Sequence, residues 1–368
     1  MDTLTHALSG ALLARLLVAR RDTVASTHSR ESASPAKLWQ CVVVGTVAGA
    51  FPDIDAVAQA FGDVAYLTQH RGITHSLLML PLWAAGLAWL MTRCFANTRG
   101  APGAWRHFFV LAAGGIGIHI AGDWITQFGT MLLQPLSNQR FGLGAMFIID
   151  LVFSGLLVGG LLLAALFPRR RWPAALGLAA ASSWVGLAWV GQQEAEQIAL
   201  RHAAAKGLQV QQVVVMPRPA SPFNWTLSVY DGRDHHVAHV NTRRTEALDP
   251  ALPALFPPAF VRRFSAPYLP ADQAVWTQVP RFGDASTPAW VQQAWAHPDL
   301  AFFRWFAQTP ALISASIEGG RRCAAFRDLR FDFPGREESP FRYGLCLPER
   351  PGEPALRFKL EDGVRKPV

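Results

Sequence analysis

The chain has 368 residues, of which 51% are hydrophobic and 16% are charged, and its formal net charge is +8. This composition is too apolar for an ordinary soluble protein of that length. The 13 Lys and Arg residues among the first 192 lie in short loops between apolar runs, not in one stripe, so the positive charge does not indicate a nucleic-acid-binding protein and no nucleic-acid partner is expected.

Six apolar runs precede residue 192 and have about the length at which helices cross a bilayer. They cover residues 4–19, 40–60, 75–92, 107–126, 146–167 and 172–191. The first run is short and the second is interrupted by Phe51-Pro52-Asp53, so either could be tilted or half-inserted. The sequence therefore predicts an all-α polytopic membrane helix bundle of about six segments in residues 1–192.

Basic residues are unevenly divided between the loops that join these runs. One set of loops contains Arg20, Arg21, Arg30, Lys37, Arg93, Arg99, Arg106, Arg169, Arg170 and Arg171, whereas the opposite set contains only Arg71 and Arg140. The positive-inside rule assigns the richer set to the cytoplasm. The N-terminus lacks the features of a cleaved signal peptide and is expected to stay in the mature protein. The prediction is a multi-pass protein of a bacterial inner membrane, with residues after 192 on the periplasmic side.

Carboxylates and imidazoles gather at the outer ends of the predicted segments. The group comprises Asp2, Asp53, Asp55, Asp63, Asp123, Asp150, His6, His70, His75 and His119. These side chains are the ligands that Zn²⁺ takes in proteins, and Mn²⁺ accepts the same set. The pattern predicts a divalent metal site, with zinc favoured over manganese.

Spacing along the chain supports this metal site. His119 and Asp123 are one helical turn apart and share a face, as are Asp2 and His6. An isolated pair of this kind is more often a helix-surface contact, but several such clusters converge on one predicted membrane face. In 52-PDID-55 one aspartate can bind metal while the other orients a histidine. The predicted ligands are His6, Asp53 or Asp55, His75, His119 and Asp123, with Asp2 and His70 as additional candidates.

The stretch 70-HRGITHS-76 has the residues of a turn that carries a ligand. Gly72 permits a tight turn, and Thr74 is a candidate N-cap that would place His75 in the first turn of the next helix. The fork of Arg71 suits a phosphate or carboxylate oxygen. Pairing of Arg71 with a neighbouring aspartate explains it equally well.

Two further polar residues border the later apolar runs. Arg140 belongs either to the substrate pocket or to the membrane interface as an anchor. Asp150 begins a strongly apolar helix, where an unpaired carboxylate is costly. Either Asp55 or Asp150 could therefore serve as a general base.

The ordered motifs in the first 165 residues resemble the YdjM-like family, which is described as inner-membrane-associated, metal-dependent hydrolases without a defined substrate. The resemblance is carried by MDTLTHALSGALLAR, GAFPDID, HRGITHS, HIAGDWITQFGT and QPLSNQRFG. It implies a metal-dependent hydrolase.

The order of the predicted ligands is also similar, more distantly, to the zinc-dependent phospholipase C and single-strand nuclease fold, which binds a cluster of zinc ions. This chain has no HxxxE pair after Asp123 to complete a third position. The resemblance therefore implies one or two ions.

Residues 193–368 read as a soluble α+β domain with an antiparallel sheet. Strand-like runs cover 209–217, 225–231, 235–241, 325–333, 341–348 and 355–362, and a helical region covers 288–308. Cys323 and Cys346 would form a disulfide if this domain is periplasmic. The histidines at 235, 236 and 239 alternate between strand faces, which does not favour a metal site there.

Together these patterns predict a membrane-bound hydrolase that uses a metal-activated water. Its predicted substrate is a phosphoester or other ester, such as a lipid, that reaches the outer membrane interface. Its partners would be membrane lipids, and the sequence names no protein partner for the soluble domain. An ion- or proton-handling transporter is one alternative, although the inner halves of the later segments lack polar residues. A non-catalytic adaptor with a structural metal is another.

Overall fold

The computed structural model of this chain describes residues 1–18, 36–248, 259–336, 338–350 and 352–368. Arg20, Arg21 and Arg30, which contribute to the predicted loop charge, lie outside the described residues. The chain divides into two compact units. The first contains Met1–Ala60 and Gln69–Ala188, and the second contains Phe61–Thr68 and Trp189–Val368.

Seven helices account for most of the chain before residue 207. They are α1 (Thr3–Leu17), α2 (Leu38–Ala50), α3 (Asp63–Gln69), α4 (Leu80–Cys94), α5 (Ala104–Trp124), α6 (Leu151–Leu166) and α7 (Trp172–Lys206), with 3₁₀ turns at Phe51–Phe61 and Ile73–His75. Two starts are fixed by carboxylate caps, because Asp2 accepts the Thr5 amide and Asp150 accepts the Phe153 amide.

Helices α1 and α2 pack with their backbones in contact. A Cβ atom built on Gly10 would lie 2.2 Å from the carbonyl oxygen of Gly45, and one built on Gly49 would lie 2.5 Å from that of His6. Only hydrogen fits at such positions, as at the small-residue interfaces of membrane helices. On α5, a Cβ at Gly115 would likewise lie 2.7 Å from Cβ of Ala48. These contacts bring the residues that follow α2 close to His6 and to the end of α5.

The prediction of about six membrane segments is wrong. Among the described residues, two helical stretches are long and apolar enough to cross a membrane, Leu38–Phe61 and Trp172–Lys206. A third arises only if Asp63–His75 and Leu80–Cys94 are taken as one span, and these are bent by 76°.

Helix length explains most of the difference. The helices α1 and α4 have 15 residues each and α6 has 16. At 1.5 Å per residue they measure about 22–24 Å, whereas the hydrocarbon core is about 30 Å thick. The 21-residue α5 is long enough, but four glycines and the polar residues Arg106, His107, His119 and Asp123 dilute its hydropathy.

The second unit is built on two five-stranded sheets, where the sequence predicted one. The first sheet contains β1 (Gln212–Pro217), β2 (Asn224–Tyr230), β3 (Asp234–Asn241), β4 (Leu269–Pro270) and β5 (Thr277–Pro280), with β5 beside β3. The second contains β6 (Pro310–Glu318), β7 (Arg321–Asp328), β8 (Tyr343–Pro348), β9 (Leu356–Glu361) and β10 (Val364–Pro367), in the order β10-β9-β8-β7-β6. Neighbouring strands are antiparallel except β3 and β4.

Helices α8 (Ala259–Ser265), α9 (Trp290–Ala296) and α10 (Ala301–Phe306) accompany the sheets. The core of the first sheet is formed by alternate side chains of β2, of which Trp225, Leu227 and Val229 are fully buried. Cys323 and Cys346 are directly opposite each other on β7 and β8 and form a disulfide, which the sequence predicted for a periplasmic domain.

Candidate metal centre

Four residues of the first unit come together as a candidate ligand group. Asp53, His75, His119 and Asp123 each offer one ligand atom, and the four atoms all lie within 4.8 Å of one another. Asp53 follows Pro52 at the start of the 3₁₀ turn after α2, and His75 ends the short 3₁₀ turn before α4. His119 and Asp123 lie one turn apart on α5. This His/Asp group could hold a metal ion.

The two histidines of the group are oriented by hydrogen bonds from their outer nitrogens. Nδ1 of His119 donates to the carbonyl oxygen of Gly49 at 2.6 Å. Nδ1 of His75 lies 3.1 Å from Oδ2 of Asp55, a carboxylate that can only accept. In the neutral form of each ring these acceptors select the tautomer with the proton on Nδ1, in which Nε2 presents a lone pair to the centre of the group.

These two lone pairs face each other at short range. Nε2 of His75 lies 2.9 Å from Nε2 of His119 and 3.1 Å from Oδ2 of Asp123. Oδ2 of Asp123 is buried and is also 2.9 Å from Nε of Arg71, so this carboxylate already has one cationic neighbour. A cation placed between the two imidazole nitrogens would be attracted by both lone pairs and by this carboxylate. The donor set of two imidazoles and two carboxylates fits a divalent metal ion.

Asp55 lies behind His75, whereas Asp53 faces into the group. The carboxylate of Asp55 accepts from the backbone N–H of Arg71 at 2.8 Å, from His70 Nδ1 at 2.7 Å and from Thr74 Oγ1 at 3.0 Å. A carboxylate held in this way fixes the ring and the tautomer of a metal-binding histidine. Of the two aspartates that the sequence left open, Asp53 belongs to the candidate ligand group and Asp55 contacts His75 from outside it.

His6 lies beside the group but outside it. Its ring stacks on His119 with centroids 3.7 Å apart, and its Nε2 lies 3.0 Å from Oδ1 of Asp123. The amino group of Met1 contacts the same oxygen. His6, which the sequence predicted as a ligand, therefore contacts Asp123 and is not one of the four residues of the candidate group.

Arg71 pairs with Asp123 and not with the aspartates near it in sequence. Its Nε lies 2.9 Å from Oδ2 of Asp123, and its Nη1 donates to Thr126 Oγ1 at 2.7 Å. Arg140 donates to the backbone oxygens of Gly129 and His70. Arg71 therefore balances the charge of one ligand, while Arg140 holds two loops together.

Asp2 and Asp150 are not brought into the group. Asp2 caps α1, and the carboxylate of Asp150 caps α6 and accepts from Trp184 Nε1 at 3.1 Å. The position of Asp150 gives no support to a role as general base.

Sequence reasoning also missed two residues that support the ligands. Thr3 Oγ1 donates to Oδ2 of Asp53 at 2.6 Å, and Thr126 holds Arg71. Each lies within a motif quoted above, but hydroxyl groups carry no metal-ligand pattern that would have marked them.

The group is closed to solvent except at one ligand. The side chains of His75, His119 and Asp123 are 0% exposed, whereas that of Asp53 is 14% exposed. Of the four residues, Asp53 is therefore the one through which solvent or a ligand could reach the group.

The sequence profile described as YdjM inner membrane protein matches residues 1–195, which include the whole ligand group. Among curated proteins, the chain is similar to the uncharacterized protein YfhP of Bacillus subtilis (strain 168), with 26% identity over 145 residues. That match covers 39% of this chain and 40% of the relative, so it spans about two fifths of the relative's length. No solved structure matches the chain.

Proposed function

The chain belongs to the YdjM inner membrane protein family, and from the ligand group inside the matched residues we propose that it is a membrane-bound, metal-dependent hydrolase. The observation that carries the proposal is the pair of Nε2 atoms, 2.9 Å apart, that face each other beside two carboxylates. The substrate class we propose is a phosphoester or other ester at the outer membrane interface.

Asp53, His75, His119 and Asp123 would hold one divalent ion. Two nitrogen and two oxygen ligands favour zinc and are accepted by manganese. When bound, such an ion lowers the pKa of a coordinated water and polarises the scissile group. The protein's own contribution is orientation: Asp55 fixes His75, the Gly49 carbonyl fixes His119, and His6 with Arg71 fixes Asp123.

The surroundings of Asp53 support an apolar substrate. Ile54 and Val57 follow Asp53 on the same 3₁₀ turn and are 61% and 64% exposed. Exposed apolar side chains next to the one partly exposed ligand suit a substrate with acyl chains, and they also suit contact with membrane lipids. A periplasmic position for this end is part of the proposal.

A structural metal in a non-catalytic adaptor is the second candidate. It is favoured by the burial of three of the four ligands, because structural sites are closed whereas catalytic sites keep an open position. A metal bound without any hydrolytic activity would favour it.

Elemental analysis of the detergent-purified full chain tests both the metal and the ligands. The variants are His119→Ala and Asp123→Asn, and the matched controls are His297→Ala and Asp299→Asn in the second unit, where both residues are partly exposed. We expect about one zinc or manganese ion per chain in the wild type and controls, lost in both ligand variants. A wild type without metal under chelator-free conditions would overturn the proposal.

Activity is then measured on the metal-loaded protein with chromogenic phosphomonoesters, phosphodiesters and carboxyl esters. Hydrolysis of one class that is lost in His119→Ala and retained in His297→Ala supports the hydrolase. Metal binding with no hydrolysis of any class supports the structural alternative.

A further inference from the structure

A cavity of about 300 Å³ lies in the second unit beside the first sheet. Residues of β2, β3 and β5 line one side, and the other side is lined by Arg327 on β7 and by residues of the segment that follows β7. The volume is at the lower end of the range for small-molecule sites. The cavity lies in residues that the metal-centre proposal does not use.

Arg218 is a buried cation next to the cavity wall, because it contacts the lining residue Thr226. Arg218 is 2% exposed, and its guanidinium donates to Thr226 Oγ1 at 2.6 Å and to the backbone oxygens of Arg330 and Asp332 at 2.9 and 2.7 Å. These acceptors are neutral, as is a fourth, Met216 Sδ at 3.6 Å, and Arg218 forms no ion pair with the described part of the chain. A buried charge without a counter-ion is costly, so the neighbourhood of Arg218 favours an anion.

Thr226 holds the ring of His239 on the cavity wall. Its oxygen accepts from Arg218 Nε at 2.6 Å and lies 2.8 Å from His239 Nδ1. Burial lowers the pKa of His239 to about 4, and the charge of Arg218 acts in the same direction. His239 is therefore neutral at pH 7, and in the tautomer that accepts the Thr226 hydroxyl its proton is on Nε2. Nε2 makes no hydrogen bond with a described residue.

The rest of the wall combines positive charge with apolar surface. Arg327 and Arg336 line the cavity, and Asp332, which pairs with Arg327 at 3.1 Å, is the one carboxylate among the described lining residues. Counting Arg218, the charged side chains described at the cavity are three arginines and one aspartate, which leaves an excess of positive charge. Val237, Val279 and Phe331 supply an apolar side. The cavity thus offers donors and positive charge at one side and a hydrocarbon surface at the other.

We propose that this cavity binds a small organic acid, with its carboxylate at His239 Nε2–H and Arg336 and its apolar body against Val237, Val279 and Phe331. A bare inorganic anion would leave the apolar side uncovered, and a neutral ligand would leave the excess positive charge uncompensated. This proposed binding site lies in the second unit, whereas the candidate metal centre lies in the first unit.

The test uses 4-(trifluoromethyl)benzoate as the probe and ligand-observed fluorine NMR of the full chain in detergent. The neutral amide, 4-(trifluoromethyl)benzamide, is the matched probe, and inorganic phosphate is the competitor. Variants are Arg336→Gln, whose side chain is exposed, and His239→Phe. The control is Arg321→Gln, a β7 residue outside the cavity that pairs with Glu353. Circular dichroism shows which variants fold.

We expect saturable benzoate binding in the wild type and in Arg321→Gln, weakened about tenfold in Arg336→Gln and His239→Phe. The amide and phosphate should not compete at equal concentration. The proposal is overturned if benzoate shows no saturable binding up to about 10 mM, if a folded Arg336→Gln binds it as well as the wild type, or if the amide or phosphate binds equally well. Metal content does not enter this test, so its result is independent of the hydrolase proposal.

Discussion

His75 and His119 face each other with their Nε2 atoms 2.9 Å apart, while the Nδ1 atom of each ring is held by an acceptor outside the ligand group. Two imidazole nitrogens so placed, with the carboxylates of Asp53 and Asp123, form a group that could hold a cation. The first two predictions follow from this relationship.

Removal of metal should destabilise the protein. A ligand that binds only the folded state at a free concentration of 100 times its Kd adds about 2.7 kcal/mol of stability. We expect a chelator to lower the unfolding temperature by several degrees, and we expect added zinc to restore it. Differential scanning fluorimetry measures the shift. Asp123→Asn should show no response to chelator, and a chelator response equal to that of the wild type would contradict its role as a ligand.

Asp53 and Asp55 should differ in their effect on metal affinity. Asp53→Asn removes a ligand and should abolish binding, whereas Asp55→Asn removes a residue that orients His75 and should weaken binding about 10–100-fold. Competition against a chromophoric zinc chelator gives both affinities. Asp272→Asn, at an exposed position in the second unit, is the control. Equal losses in Asp53→Asn and Asp55→Asn would show that the two carboxylates do not have the separate roles inferred here.

The glycine contact between α1 and α2 should be intolerant of a single methyl group. A Cβ on Gly10 meets backbone atoms at 2.2 Å, so Gly10→Ala forces the helices apart and should cost about 1–3 kcal/mol. Gly155 in α6 has nothing within 4 Å of its Cβ position, and Gly155→Ala should be neutral or stabilise by about 0.5–1 kcal/mol. Thermal unfolding of the two variants compares them directly, and equal stability would argue against the close packing.

Two thiols should be available in the denatured, unreduced protein. Cys323 and Cys346 are bonded, Cys94 is exposed and Cys41 is buried. A maleimide should therefore label Cys94 alone in the folded protein, Cys41 as well after denaturation, and all four after reduction. Intact-mass spectrometry counts the labels. Four labels without reductant would mean that the disulfide does not form.

The periplasmic assignment of the second unit predicts the behaviour of reporter fusions at residue 368. Alkaline phosphatase, which needs an oxidising compartment, should be active there, and a fluorescent protein that folds only in the cytoplasm should not be. The reverse pattern would place the second unit in the cytoplasm and would remove the basis for the disulfide.

Local patterns were the part of the site that the sequence predicted well. His119 and Asp123 share a helix face because the helical period fixes their relation, whatever the rest of the chain does. The roles of Asp53 and Asp55 could not be separated from the sequence, because they depend on which carboxylate the neighbouring turn brings to Nδ1 of His75. The contacts of His6 could not be predicted for a similar reason, since helical spacing gives its direction but not its distance from a partner on another helix.

The count of membrane segments failed for a different reason. Hydropathy windows measure how apolar a run is and do not show where the helix ends. The run 4–19 becomes a helix that ends at Leu17, and the run 146–167 begins its helix only at Leu151, where Asp150 caps it. In the second unit, β6 was missed because its residues alternate weakly and follow a helix-rich stretch. Its pairing with β7 fixes it.

The parts of the metal centre also have an order along the chain. His6, the four ligands, Asp55, Arg71 and Thr126 all lie within the first 126 residues, and α5 supplies the last two ligands. Because chains fold from the N-terminus as they are made, the centre can assemble once α5 has left the ribosome. If the group binds metal as proposed, the ion can be acquired during synthesis, before the sheets of the second unit exist.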